Sequence, residues 1–187
     1  MRVIGGKFRS RHLKGPGLLQ LRPTSDRLRE TLFNILGPTV QDCLFVDLFA
    51  GTGAIGIEAV SRGARDVIFV EKHPATARLL RRNLESLEIR SGVELIASDA
   101  IAGLERLAAR RLVADFIFLD PPYKHEDEYA RTLEFIDASH LLAPTSRVIV
   151  EHWHNLDMLD RFERMERDRL LEQGDAALSF YRLAAAA

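Results

Sequence analysis

The stretch Val46-Asp47-Leu48-Phe49-Ala50-Gly51-Thr52-Gly53-Ala54-Ile55-Gly56 constrains this chain more than any other. An apolar run enters a Gly-x-Gly turn and leaves it as a helix. A strand handed directly to a helix needs parallel neighbours to bury its faces, and the rest of the chain supplies them. Leu44–Phe49 predicts the first strand, and Gly51–Gly56 the turn into a helix ending near Gly63. Strands over Val67–Glu71, Val93–Ala97, Phe116–Asp120 and Arg147–Glu151 alternate with helices over Pro74–Leu87, Ile101–Arg110 and Glu128–Asp137. Phe162–Arg182 predicts two more strands around a turn at Gly174-Asp175. Upstream, Pro23 and Ser25 introduce a helix to about Leu36, stopped by Gly37-Pro38. The expected fold is α/β, a doubly wound sheet, mainly parallel with a C-terminal antiparallel strand pair. The 187 residues suffice for one such domain, placed at 25–187, preceded by a short hairpin-like arm over 1–24.

Ligands of such sheets bind at the carboxyl ends of the strands. Gly51 and Gly53 clear side chains from a turn whose unpaired N–H groups face an anion. That anion is a pyrophosphate in a dinucleotide enzyme and the amino-acid carboxylate in an S-adenosylmethionine (SAM) enzyme, and the motif fits both. Glu71 ends the second strand 20 positions after Gly51, where an acid accepts from ribose hydroxyls. Asp99 follows the third strand and suits either the adenine amino group or a helix N-cap. Asp47 is out of place in an apolar strand; a buried acid needs partners, and a ligand amino group is one candidate.

Asp120-Pro121-Pro122-Tyr123 is the most specific local feature. An aromatic amino group is a poor nucleophile because its lone pair is delocalised into the ring. Two acceptors pulling on its N–H bonds free that pair. Asp120 supplies one and the Pro121 carbonyl the other. The prolines stiffen the segment and remove competing donors. Tyr123 stacks on an unpaired base. Asp-Pro-Pro also serves simply to end a strand; its place after a glycine loop, Glu71 and Asp99 favours chemistry. A hydride-transfer enzyme has no use for it.

Charge adds a partner. The net charge is −1, yet residues 1–30 carry +6 and the remainder −7. Arg2, Lys7, Arg9, Arg11, Lys14 and Arg22 form a basic arm suited to an anionic partner or to a solvated terminus. No apolar run is long enough to span a bilayer, so no membrane partner is expected. The single Cys43 leaves no disulfide framework or cysteine-built metal site, and a reducing, cytoplasmic setting is expected. His152 and His154 have no third ligand in sequence reach, and no metal is assigned.

The Asp120–Tyr123 segment resembles the D/N-P-P-Y/F motif of class I amino-methyltransferases. The opening Met1–Arg11, the stretch Leu21–Asn34 and the closing Ala177–Tyr181 are similar to the bacterial 16S rRNA guanine-N2 methyltransferase family. The resemblance runs over nearly the whole chain. It implies a Rossmann-like class I methyltransferase sheet, SAM as cofactor, and N2-methylation of one guanine of 16S rRNA in the small ribosomal subunit. It also implies rRNA docking through the basic arm, cofactor contacts from Phe49, the Arg22–Arg27 segment, Lys72 and Ala100, and a monomer. The closing hairpin departs from the family in Leu170-Leu171-Glu172-Gln173-Gly174, where a more basic turn is common, and His73 stands where an acid is common. Competing readings are amino-methylation of DNA adenine or a protein glutamine, an NAD-dependent oxidoreductase, and a non-catalytic rRNA-binding assembly factor.

Overall fold

A computed structural model describes residues 1–15, 24–121 and 126–185. The chain order is α1 (Asp26–Leu36), β1 (Leu44–Leu48), α2 (Ala54–Ser61), β2 (Asp66–Val70), α3 (Pro74–Ser86), β3 (Val93–Ile96), α4 (Ala100–Ala109), β4 (Ala114–Leu119), α5 (Glu126–Ala138), β5 (Leu142–Trp153), β6 (Met165–Gln173) and β7 (Ala176–Leu183). One seven-stranded sheet has the order β3-β2-β1-β4-β5-β7-β6. The first five are parallel, and β7 joins β5 and β6 antiparallel. This is the doubly wound arrangement expected, with the C-terminal pair where the sequence placed it.

Strand alternation divides the core. Phe45, Phe69, Phe116, Phe118 and Ile149 pack with α1, α2 and α3 on one face. Val46, Ile68, Ile117, Val148 and Val150 pack with α4 and α5 on the other. Both faces are covered, which is why the strands read as unbroken apolar runs. Gly56 lets α2 lie close to β2; a Cβ there would sit 2.2 Å from the Phe69 ring.

The strand ends set the site. Leu48, Val70, Ile96, Leu119 and Val150 lie in register across five strands. The residues that follow them, Phe49, Glu71, Ala97, Asp120 and Glu151, therefore line one edge. Strand order reverses between β1 and β4, the switch point at which such sheets bind ligands. The bounds of β2, β3 and β4 shift from expectation by one or two residues, and those of β1 and β5 shift for visible reasons. β1 stops at Leu48 because Phe49 turns left-handed, with φ 64°. β5 starts at Leu142, not Arg147, because Leu142 pairs with Ala114 and the Ser146 hydroxyl joins the Ala143 N–H to the Ala114 carbonyl.

Residues 1–15 form a hairpin closed by an Arg2–His12 bridge. Val3 and Leu13 sit inside the core with α1 and α2, so the arm is packed, not hung from the body. Gly6, at φ 71°, presses against the end of α2; a Cβ would fall 1.8 Å from the Ser61 carbonyl oxygen.

Gly56→Ala is expected to cost about 1–3 kcal/mol through overpacking against Phe69 and Val67. Urea unfolding measures it, and an unchanged midpoint would show that the sheet gives way freely there.

Candidate active site

The glycine turn is held by two acids. Gly51 and Gly53 both have positive φ, 55° and 81°, which suits glycine. The Glu71 carboxylate accepts from the Gly51 N–H at 2.8 Å with one oxygen and from the His73 N–H at 2.6 Å with the other. Asp47 accepts from the Gly56 N–H at 2.9 Å, in the first turn of α2. Both acids are buried, and neither forms an ion pair among the described residues. Burial pushes the Asp47 carboxyl up to about 7; the Gly56 hydrogen bond offsets this in part, and the Glu71 charge adds to the rise.

Around this centre the expected cofactor residues fall along one edge. Phe49 is half-buried at the mouth of the turn. Lys72 and His73 are exposed between β2 and α3. Asp99 is exposed and caps α4, accepting from the Ala102 N–H at 2.9 Å, with Ala100 buried beside it. The cap uses one of its oxygens, so capping and a ligand contact are compatible.

Asp120 is half-buried and Pro121 buried where β4 gives out, beside the Phe49 turn. Pro122, Tyr123 and His125 lie outside the described residues, as does Arg22. Sequence reasoning missed the surroundings of this point. Tyr129 of α5 is buried, and its hydroxyl lies 3.5 Å from the Pro121 carbonyl oxygen and 3.3 Å from that of Glu151. Glu151 is buried in β5, one residue past the edge set by Val150, and accepts from the Thr24 hydroxyl at 2.7 Å. That bond ties the entry to α1 to the same edge. A tyrosine on a helix stripe and an acid inside a strand carry no local signal of such roles.

On the arm, Arg2, Lys7, Arg9, Arg11 and Lys14 are all exposed. Arg2 pairs with Asp26 at 3.6 Å, and Lys7 lies over the Phe8 ring. The arm is fastened through its backbone. Glu58, fully buried in α2, accepts from the Ile4 and Gly5 N–H groups at 2.7 and 2.8 Å. Asn83, fully buried in α3, exchanges two hydrogen bonds with the Lys14 backbone and donates to the Thr52 carbonyl of the glycine turn at 3.0 Å.

His152 is buried with its ring nitrogens on the Trp153 carbonyl and the Ser179 hydroxyl, and burial lowers its pKa. Cys43 is buried with its thiol pushed up to about 12 by burial, an inert packing residue.

The family described as "Conserved hypothetical protein 95" matches residues 1–182. Ribosomal RNA small subunit methyltransferase D of Escherichia coli K12 is 36% identical over 151 residues, 81% of this chain and 74% of that protein. The chain belongs to the bacterial small-subunit rRNA methyltransferase family. The Haemophilus influenzae protein of the same name is 33% identical over 81% of this chain and 78% of its own length. Among solved structures, a hypothetical protein of Thermus thermophilus superposes with a TM-score of 0.83 at 29% identity, over 96% of this chain and 98% of that one. The family's fold is thus the one built above, a Rossmann-like class I sheet.

Between pH 3.8 and about 7 the folded chain keeps a proton on Asp47 that the unfolded chain has released. Stability from this group is therefore full below that window and lost as pH rises through it. Asp47→Asn is expected to remove that part of the slope. Urea unfolding of both proteins across the window tests it; parallel pH profiles would mean Asp47 is charged throughout.

Proposed function

We propose that this protein transfers a methyl group from SAM to the exocyclic N2 amino group of a guanine in 16S rRNA of the small ribosomal subunit. The observation that carries the reading is the pair of buried acids, Asp47 and Glu71, bonded to the glycine turn and without an ion pair among the described residues, on the same edge as Asp120 and Pro121. An uncompensated pair of buried carboxylates calls for a positive ligand. SAM is positive at its sulfonium and amino groups, whereas a dinucleotide would bring a pyrophosphate towards like charge. This disfavours the NAD reading, which the glycine motif alone leaves open.

The residues fit SAM. The N–H groups at the start of α2 receive its carboxylate, those of Gly51, Gly53 and Gly56 being bonded to Glu71, the Ala50 carbonyl and Asp47. Glu71 keeps lone pairs for ribose hydroxyls beside those spent on Gly51 and His73. Asp99 has an oxygen left for the adenine amino group. Bound SAM supplies a methyl group activated by a sulfonium leaving group.

The chain's part in the reaction is orientation and charge. Asp120 accepts one N–H of the guanine amino group and the Pro121 carbonyl the other, turning the nitrogen lone pair toward the methyl carbon. Methyl transfer would form a nitrogen–carbon bond in place of the carbon–sulfur bond, whose electron pair would leave with the sulfur. Positive charge grows on the nitrogen, where Asp120 stabilises it and takes the departing proton or passes it to water. Tyr129 and Glu151 hold the backbone that presents Pro121. A stacked guanine must first be unpaired or flipped out to reach this edge. The exposed cations of the arm take rRNA phosphates. No helix among the described residues is long and apolar enough to cross a membrane.

Labelled SAM, offered with unmethylated small subunits, naked rRNA and duplex DNA, is expected to yield N2-methylguanosine, chiefly on the subunit. Methyladenine on DNA would retain the chemistry and reject the ribosomal substrate. Asp120→Ala should keep SAM affinity and lose about 10²–10³ in kcat; full activity would remove Asp120 from the mechanism. A cation seated beside Asp47 favours its charged form, so SAM binding near pH 6.5 should release a proton. Calorimetry in buffers of different ionisation enthalpy reads it as a heat that varies with the buffer, and the same heat in every buffer would place the positive groups elsewhere.

A further inference from the structure

We infer that the outer face of α3 is the second half of the rRNA-docking surface, continuous with the arm. The inference rests on the rRNA reading above. Arg78, Arg81 and Arg82 lie within five residues of α3 and are exposed, with Lys72 exposed just before the helix. None of the four forms an ion pair with a carboxylate among the described residues, and Glu85, the helix's own exposed acid, pairs with neither Arg81 nor Arg82. Some surface arginines are neutralised locally, as Arg110 is by Glu94 and Arg182 by Glu166 and Asp168; Arg106, Arg111, Arg131 and Arg169 are exposed without an ion pair among the described residues, but α3 gathers three such groups within five residues. Arg78 and Arg82 are one turn apart, a like-charge spacing that costs a helix a few tenths of a kcal/mol. No intramolecular contact among the described residues offsets it.

Two joints make this face and the arm one surface. Asn83 grips the Lys14 backbone with bonds of 2.8 and 3.2 Å, and the Arg11 guanidinium donates to the Ser86 carbonyl at the end of α3. The arm's cations and those of α3 therefore keep a fixed spacing. The other end of α3 begins just past Glu71, Lys72 and His73, at the rim of the candidate site. A band of uncompensated guanidinium groups from arm to rim matches a phosphodiester chain leading to the target base. Guanidinium groups suit phosphate oxygens through paired donors.

The test compares the full-length protein with Arg78→Glu/Arg82→Glu, and with Arg131→Glu as a control on α5, on the other face of the sheet. Binding to unmethylated small subunits and to naked rRNA is measured across salt concentrations, with SAM affinity and thermal midpoint as readouts of an intact fold. Each phosphate contact removed lowers the slope of log Kd against log salt by about 0.7–0.9. The double variant is expected to lose about 1.4–1.8 of slope and to bind both substrates about tenfold or more weakly, with SAM affinity unchanged. The control should match the wild type. Wild-type slope and affinity in the double variant would make α3 a solvated face and overturn the inference while leaving the rRNA reading intact. Weaker binding to subunits alone, with naked rRNA unaffected, would place the contact on a ribosomal protein and overturn it too. Failure of the wild type to bind either substrate, with SAM still bound, would overturn both readings.

Discussion

Glu58 is the joint on which the N-terminal half of the molecule turns. It is fully buried in α2, yet it carries a carboxylate. Two arm N–H groups, the Arg62 guanidinium at 2.8 Å and the buried Arg29 at 3.9 Å surround it. Arg29 in turn reaches the Arg2 carbonyl and, at 2.9 Å, Asp26. One carboxylate thus holds the arm, α1 and α2 together. Removing one partner from such a set strands the remaining charges out of water, which typically costs 3–5 kcal/mol, about 3–5 times a typical neutral hydrogen bond. Because α2 begins at the glycine turn, whatever fixes its other end also fixes the turn.

The site shows the opposite economy. Among the described residues, Asp47 and Glu71 are stabilised only by backbone N–H groups, and they repel one another. Phe49, in the left-handed region, adds about 1–2 kcal/mol of backbone cost at the same place. Strain and unbalanced charge collect where β1 ends, while ion pairs collect behind α2. A ligand that supplies positive charge relaxes the first without disturbing the second.

What could be read from the sequence was what depends on neighbours along the chain. The glycine turn, the Ser25 and Asp99 caps, and the alternation of strands with helices all follow from short-range pattern. Asp47 stood out because an acid inside an apolar strand breaks that pattern. Glu58, Asn83 and Tyr129 did not stand out. Acids and amides on helices usually face water, and Glu58 and Asn83 are buried because distant segments fold over them; a tyrosine on an apolar helix stripe reads as packing. Ile4 lies 54 positions from Glu58, and Lys14 lies 69 from Asn83. The bounds of β5 escape local pattern for the same reason, since its ends are set by Ala114 and by β7.

The side-chain amide of Asn83 touches the arm and the glycine turn at once. If rRNA docks on the arm and SAM in the glycine turn, as proposed, both bear on this one amide and do not bind independently. By reciprocity, any factor by which docked rRNA changes the affinity for SAM is the factor by which bound SAM changes the affinity for rRNA. On the function proposed above, the spent cofactor would lack the sulfonium charge and so would change that factor after each turnover. Release of the methylated product and exchange of the cofactor are then two readings of a single free energy.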